Sequence, residues 1–303
     1  MEVVHSRAQI RGALAALPRP VGLVPTMGWL HAGHRSLIAR ARDECRTVVV
    51  SIFVNPRQFD DPADLARYPR GEARDLAFCA EAGVDLAWVP GIDDVYPSGF
   101  DTSVTVERLA LPLEGAARPG HFAGVTTVVA VLFGVVQPDR AYFGEKDGQQ
   151  LRVIDRMARD LSITQVVRCP TVREPDGLAL SSRNVHLAAE DRAAAPVIHR
   201  ALLAGRAAWA AGEREASVIR RRVGDVLATE PRADVEYVSC ADDETLAELE
   251  RIEGRAMLSL AVRFGTTRLV DNVRLGRRAG TVPRLAASPG RATHPLAPPH
   301  TME

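Results

Sequence analysis

The sequence predicts an α/β protein, a doubly wound parallel sheet followed by a second, smaller α+β domain. Three observations carry this. Short apolar, β-branched runs alternate with amphipathic helical stretches as far as residue 171. Those runs are apolar throughout, as strands covered on both faces are. After the stretch "SSRN" the alternation stops, and two alanine- and arginine-rich helical stretches lead into three strand-like runs.

The elements follow in order. "VGLVP" (21–25) is a short apolar run ending at turn residues and reads as a buried strand. A helical pattern comes next, with Leu37, Ile38, Ala41 and Cys45 on one side and Arg40, Arg42, Asp43 and Glu44 elsewhere. "TVVVSIF" is a second buried strand. A crossover of this kind within one sheet is parallel and right-handed. "EARDLAFCAEAG" reads as helix and "VDLAWVP" as strand. "FAGVTTVVAVLFGVV" is shorter than the roughly 20 residues of a membrane span and holds two threonines, so it reads as a buried helix. It precedes the strand "RAYFG", and a helix over about 147–160 precedes "TQVVRCP". In the second domain, helical stretches at 188–212 and 213–230 precede "DVEYVSCA", "RAMLSLAVRF" and "TRLVDNV". From residue 276 the chain is rich in Pro, Ala and Gly without periodicity, and is expected to be a disordered tail.

Composition narrows the function. Lys+Arg and Asp+Glu both number 38, so there is no general attraction for nucleic acid or an acidic membrane, and anion binding must be local. Aromatics at 5% disfavour a stacking platform for single strands. Cys45, Cys79, Cys169 and Cys240 form no C-x-x-C and read as reduced core thiols of a cytosolic protein. The N-terminal stretch lacks a basic-then-apolar signal, and a cytoplasmic location is expected.

Four stretches could carry chemistry. In "VPTMGWLHAGH", a helix starting near His31 would put His31 and His34 on one face. Gly28 permits a tight turn, Gly33 permits close approach, and the helix start offers free N–H groups for a phosphate. Alone, an H-x-x-H reads better as two satisfied structural histidines. A zinc pair would want i, i+4 spacing with a glutamate between, and Ala32 and Gly33 stand there instead. "FGEKDGQQL" places Lys146, Asp147, Gln149 and Gln150 after a strand, as phosphate and hydroxyl partners or as a solvated loop. "DGLALSSRN" offers Ser181, Ser182 and Arg183 to a polyphosphate, or caps a helix. "FVNPRQF" sets Asn55 and Gln58 at a strand end, as neutral partners for hydroxyls and carboxylates or as a turn around Asn55-Pro56. No P-loop and no G-x-G-x-x-G occurs.

Together with "RPGHFAGV" and "GTTRLVDN", these stretches resemble, in order from about residue 20 to 273, the pantoate–β-alanine ligase (pantothenate synthetase) family. That family lies in the Rossmann-like, adenylate-forming superfamily with nucleotidyltransferases and class I aminoacyl-tRNA synthetases. The resemblance implies that pantoate attacks the α-phosphorus of ATP to give pantoyl adenylate and pyrophosphate. The amine of β-alanine then gives pantothenate and AMP. It implies an ATP- and pantoate-binding domain at 1–172 and a closing domain at 173–275. It also implies ATP contacts from Met27, Gly28, Trp29, Leu30, His31, Ala32, Gly33, His34, Gly144, Glu145, Lys146, Asp147, Val172, Leu180, Ser181, Ser182 and Arg183. His34 would be the proton donor, with His31 and Lys146 on the phosphates. Gln58, Gln150 and Asn55 would hold pantoate, with Gln58 also near β-alanine. Mg²⁺ would accompany ATP, with Asp75 near the metal, and the protein would be a homodimer. Gly148 and Trp29 depart from the family pattern, and Gly148 is expected to loosen its loop. Two rivals share the motifs. A nucleotidyltransferase would need a basic acceptor side where Asn55, Gln58 and Gln150 stand. A catalytically silent ATP-binding module would have no reason to keep every motif.

Overall fold

The computed structural model describes residues 1–276, so the expectation of a disordered tail falls outside the described residues. In chain order the elements are β1 (Glu2–Val4), α1 (Arg7–Ala15), β2 (Val21–Thr26), α2 (Ala32–Glu44), β3 (Thr47–Ile52), α3 (Pro62–Arg67), α4 (Glu72–Glu81), β4 (Leu86–Trp88), α5 (Ile92–Val95), α6 (Glu114–Ala117), α7 (His121–Val136), β5 (Arg140–Gly144), α8 (Gly148–Leu161) and β6 (Gln165–Cys169). The remainder comprises α9 (Ala189–Ala194), α10 (Val197–Ala210), α11 (Ala216–Leu227), β7 (Asp234–Asp242), β8 (Ala256–Phe264) and β9 (Thr267–Leu275). Short 3₁₀ turns cover Pro56–Gln58 and Ser182–His186.

The six strands β1 to β6 form one parallel sheet in the order β1-β4-β3-β2-β5-β6. This bears out the doubly wound reading. The order reverses between β2 and β5, and ligands of such sheets bind where that happens, beyond the carboxyl ends of the strands. Side chains alternate between the two faces. Leu23, Val49, Ala141 and Phe143 join a core with α1, α7 and α8. Val24, Val48, Val50 and Tyr142 join a core with α2 and Cys79 of α4. The central strands β2 and β3 are covered on both faces, which is why their runs are apolar almost throughout. All four cysteines are buried and free.

The second domain is the antiparallel sheet β7-β8-β9 with α9 to α11. Leu258, Leu260, Val262 and Phe264 of β8 pack on Ile198 and Leu202 of α10 and on Ile219 and Val223 of α11. The intervening Met257 and Ser259 face the main cavity. The stretch 188–212 is two helices rather than one, because Pro196 stands at the N-cap of α10. Strand β1 and the nine-residue helix α1 have no counterpart in the sequence reading; for β1, three residues carry too short a pattern to read.

The domains are joined by charge. Arg268 of β9 forks onto Glu114 of α6, at 2.9 Å from one carboxylate oxygen, and Arg274 pairs with Glu145 at 3.0 Å. Buried Arg152 of α8 pairs with Asp243. Gly148, expected to loosen its loop, does the opposite. A Cβ there would lie 2.8 Å from Met257 Sδ and 2.9 Å from the Asn272 amide, so its absence lets β8 and β9 close onto the start of α8.

Candidate active site

One cavity of about 570 Å³ opens at the carboxyl ends of β2, β3, β5 and β6 and is walled on the far side by the second domain. Of the residues expected to bind ligands, Met27, His31, Gly33, His34, Asn55, Gln58, Gly144, Lys146, Asp147, Gln150, Val172, Leu180, Ser181, Ser182 and Arg183 line it. Gly28, Trp29, Leu30, Ala32, Glu145 and Asp75 do not line it.

The helix start is built by its own histidines. His31 is the N-cap of α2, and its Nδ1 accepts from Gly33 N–H at 3.1 Å. His34 folds back, and its Nδ1 accepts from His31 N–H at 3.2 Å. This is a capping box with imidazoles in place of serine and glutamate. An N–H always donates, so each Nδ1 is unprotonated and each neutral ring carries its hydrogen on Nε2. Burial holds His31 down to about 4 and His34 down to about 3, with Lys146 adding to the effect on His31 and His31 to that on His34. Both rings are therefore neutral at physiological pH. Each has one polar hydrogen left, on Nε2, for an anionic ligand.

These histidines make stability depend on pH. His121 is likewise held down to about 4, mainly by burial. A histidine depressed by folding binds its proton first in the unfolded chain. Stability is therefore full above about pH 6.5 and falls as pH drops from there toward 4. The urea midpoint is expected to be clearly lower at pH 5 than at pH 7.5. Equal midpoints would show that these rings are not held neutral by the fold.

Asp75 and Trp29 explain the turn before the histidines. Gly28 and Trp29 both have positive φ, +83° and +52°. For tryptophan this left-handed backbone costs on the order of 1 kcal/mol. Asp75, only 1% exposed, offsets that cost by accepting from Trp29 N–H at 2.7 Å and Leu30 N–H at 2.8 Å. The indole lies under the Arg74 guanidinium at 4.5 Å and against Gly71. This corrects the expectation for Asp75. Both its oxygens are committed to the turn behind the cavity wall, which makes it an anchor of the turn and a poor metal ligand. Trp29 serves the same anchor and does not line the cavity.

The other loops meet the first. Lys146 pairs with Asp147 at 3.0 Å, and the carbonyls of Glu145 and Lys146 both accept from Asn272 Nδ2 at 2.9 Å. Strand β9 thus sets the lysine loop. Ser181 caps its turn, and Arg183 reaches Asp64 at 3.2 Å. Asn55 Nδ2 donates to Gln58 Oε1 at 3.0 Å. Several cavity residues escape a reading of the sequence, chiefly Asp64, Tyr68, Arg118 and His121. Arg118 Nη2 at 3.0 Å and His121 Nδ1 at 2.7 Å both contact the Gln58 carbonyl. Both lie in "RPGHFAGV", a stretch whose pattern is visible in the sequence without a role attached to it.

The fold and cavity define a doubly wound α/β protein with a ligand cleft at its strand ends, lined by neutral imidazoles, cations and carboxamides. Residues 2–274 match the family model described as pantoate-beta-alanine ligase, so the chain belongs to the pantoate–β-alanine ligase family. A pantothenate synthetase of Chloroflexus aggregans is 56% identical over 275 residues, 90% of this chain and 99% of that one. The crystal structure of pantothenate synthetase from Thermus thermophilus superposes with a TM-score of 0.87 at 50% identity, covering 91% of this chain and all of that one. The Francisella tularensis pantoate-beta-alanine ligase, solved in complex with beta-gamma ATP and beta-alanine, superposes with a TM-score of 0.74 at 34% identity, covering 90% and 97%.

Proposed function

We propose that the protein condenses pantoate with β-alanine at the expense of ATP, through a pantoyl adenylate, and so makes pantothenate for coenzyme A. The observation that carries this is the convergence of the helix start, Lys146, the serine–arginine loop and the Asn55–Gln58 amides on one cavity. In the first half-reaction a pantoate carboxylate oxygen bonds to the α-phosphorus as the bond to pyrophosphate breaks. Negative charge gathers on the phosphate oxygens, and fixed donors that need no reorganisation stabilise it. His34 and His31 supply Nε2–H donors, and Lys146 and Arg183 supply positive charge. Ser181 and Ser182 add hydroxyls, while Val172 borders the nucleotide. In the second half-reaction the β-alanine amine attacks the acyl carbon, loses a proton and expels AMP. Gln58 and Gln150 hold pantoate, and Gln58 also lies near β-alanine.

Mg²⁺ enters with ATP as part of the substrate. Among the described residues no group of three histidine, cysteine or acidic side chains converges as a metal site. An ion held by nucleotide phosphates and waters needs few protein ligands. We place the division between an ATP- and pantoate-binding domain and a closing domain near residue 172. We also propose a homodimer and a cytoplasmic location, as the sequence resemblance and reduced cysteines imply. None of the described helices is long and apolar enough to cross a membrane. The side chains expected to hold the acceptor, Asn55, Gln58 and Gln150, are neutral, and the Arg118 beside them is paired with Asp60, which argues against a phosphate acceptor and so against a nucleotidyltransferase. The test is product analysis. With ATP, Mg²⁺ and pantoate, added β-alanine should give AMP and an amide in equal amounts. AMP release that ignores β-alanine, or ADP as the product, would refute the assignment.

A further inference from the structure

Asn55 and Gln58 are carboxamides, and a carboxamide is useful in a site only if its oxygen and nitrogen point the right way. Here the Asn55 orientation is fixed by partners with no choice of role. Its Oδ1 accepts from Arg57 N–H at 3.2 Å, and its Nδ2 donates to the Gly124 carbonyl at 3.1 Å. The second acceptance at Oδ1 comes from the Tyr96 hydroxyl at 2.8 Å. The second Nδ2 hydrogen then goes to Gln58 Oε1. Gln58 must therefore turn its oxygen inward and its NH₂ toward Met27 Sδ, 3.0 Å away, on the cavity side. The backbone of Gln58 is gripped separately by Arg118 and His121.

Tyr96 does not line the cavity. It is 8% exposed and follows α5, beyond the end of β4, the strand next to β3 that leads to Asn55. Phe53 and Phe100 pack edge-on against its ring, and Arg57 lies over one face at 4.4 Å. Packing on so many sides leaves the hydroxyl one direction, toward Asn55. Burial pushes the phenol up to about 12, so it keeps its proton and donates.

We propose that Tyr96 is a positioning residue for the pantoate subsite. By completing the hydrogen bonds of Asn55 it anchors the amide whose Nδ2 turns the Gln58 N–H groups toward the ligand, so that Gln58 meets a pantoate carboxylate or hydroxyl oxygen as a donor. The proposal rests on the functional reading above. Tyr96→Phe keeps the ring contacts and removes only the hydroxyl. It is expected to raise KM for pantoate about 3- to 10-fold, the scale of one neutral hydrogen bond. KM for ATP, kcat and the thermal midpoint should move far less. A structural defect would shift them together.

A double-mutant cycle with Gln58→Ala completes the test. Once Gln58 is removed, Tyr96→Phe should cost pantoate affinity nothing further. An unchanged pantoate KM in Tyr96→Phe, or penalties that simply add, overturns the proposal while leaving the function standing. No pantoate-dependent turnover by the native protein would overturn the functional reading, and the proposal with it.

Discussion

His34→Ala should lose about 10²-fold or more in adenylate formation, the scale for removing one preorganised donor from a developing oxyanion. The ring does two jobs. Its Nδ1 accepts from His31 N–H and completes the cap of α2, and this commits Nε2–H to the cavity. Alanine removes the donor and leaves the His31 N–H without that acceptor. The capping part should cost about 1 kcal/mol of stability, too little to unfold the protein. The loss should therefore fall on turnover at saturating ATP and pantoate in a protein that still folds. Native-like turnover in His34→Ala would remove His34 from the chemistry.

Asp75→Ala should lower stability by about 3–5 kcal/mol, because it strands two N–H groups of a left-handed turn where a buried carboxylate met both. Activity should fall with it, since the same turn sets the histidines. The check is urea unfolding in EDTA, where no divalent ion can contribute. A metal ligand predicts another pattern: unchanged stability in EDTA, with a raised requirement for Mg²⁺. That pattern would contradict the anchor role.

The contrast between these residues shows what the sequence can reveal. His31 and His34 are legible because a helix start and a three-residue spacing are local facts. The central strands are legible because two-sided burial makes every position apolar, as in "TVVVSI". Trp29 and Asp75 are not, since their bond spans 46 residues and depends on α4 packing under the turn. Gly148 misleads for the same reason. Its neighbours Met257 and Asn272 come from strands far along the chain, and nothing near Gly148 announces them. The tautomers of the two histidines follow from which way each ring folds, which spacing does not set. Arg118 and His121 are visible only as a pattern, because their target is a backbone carbonyl on another loop.

The proposed function requires that the cavity adenylate the pantoate carboxylate before β-alanine takes part. The most direct measurement is exchange of labelled pyrophosphate into ATP with Mg²⁺, with and without pantoate, and with no β-alanine present. Exchange is expected to require pantoate and to vanish in its absence. Exchange without pantoate, or none until β-alanine is added, would contradict it.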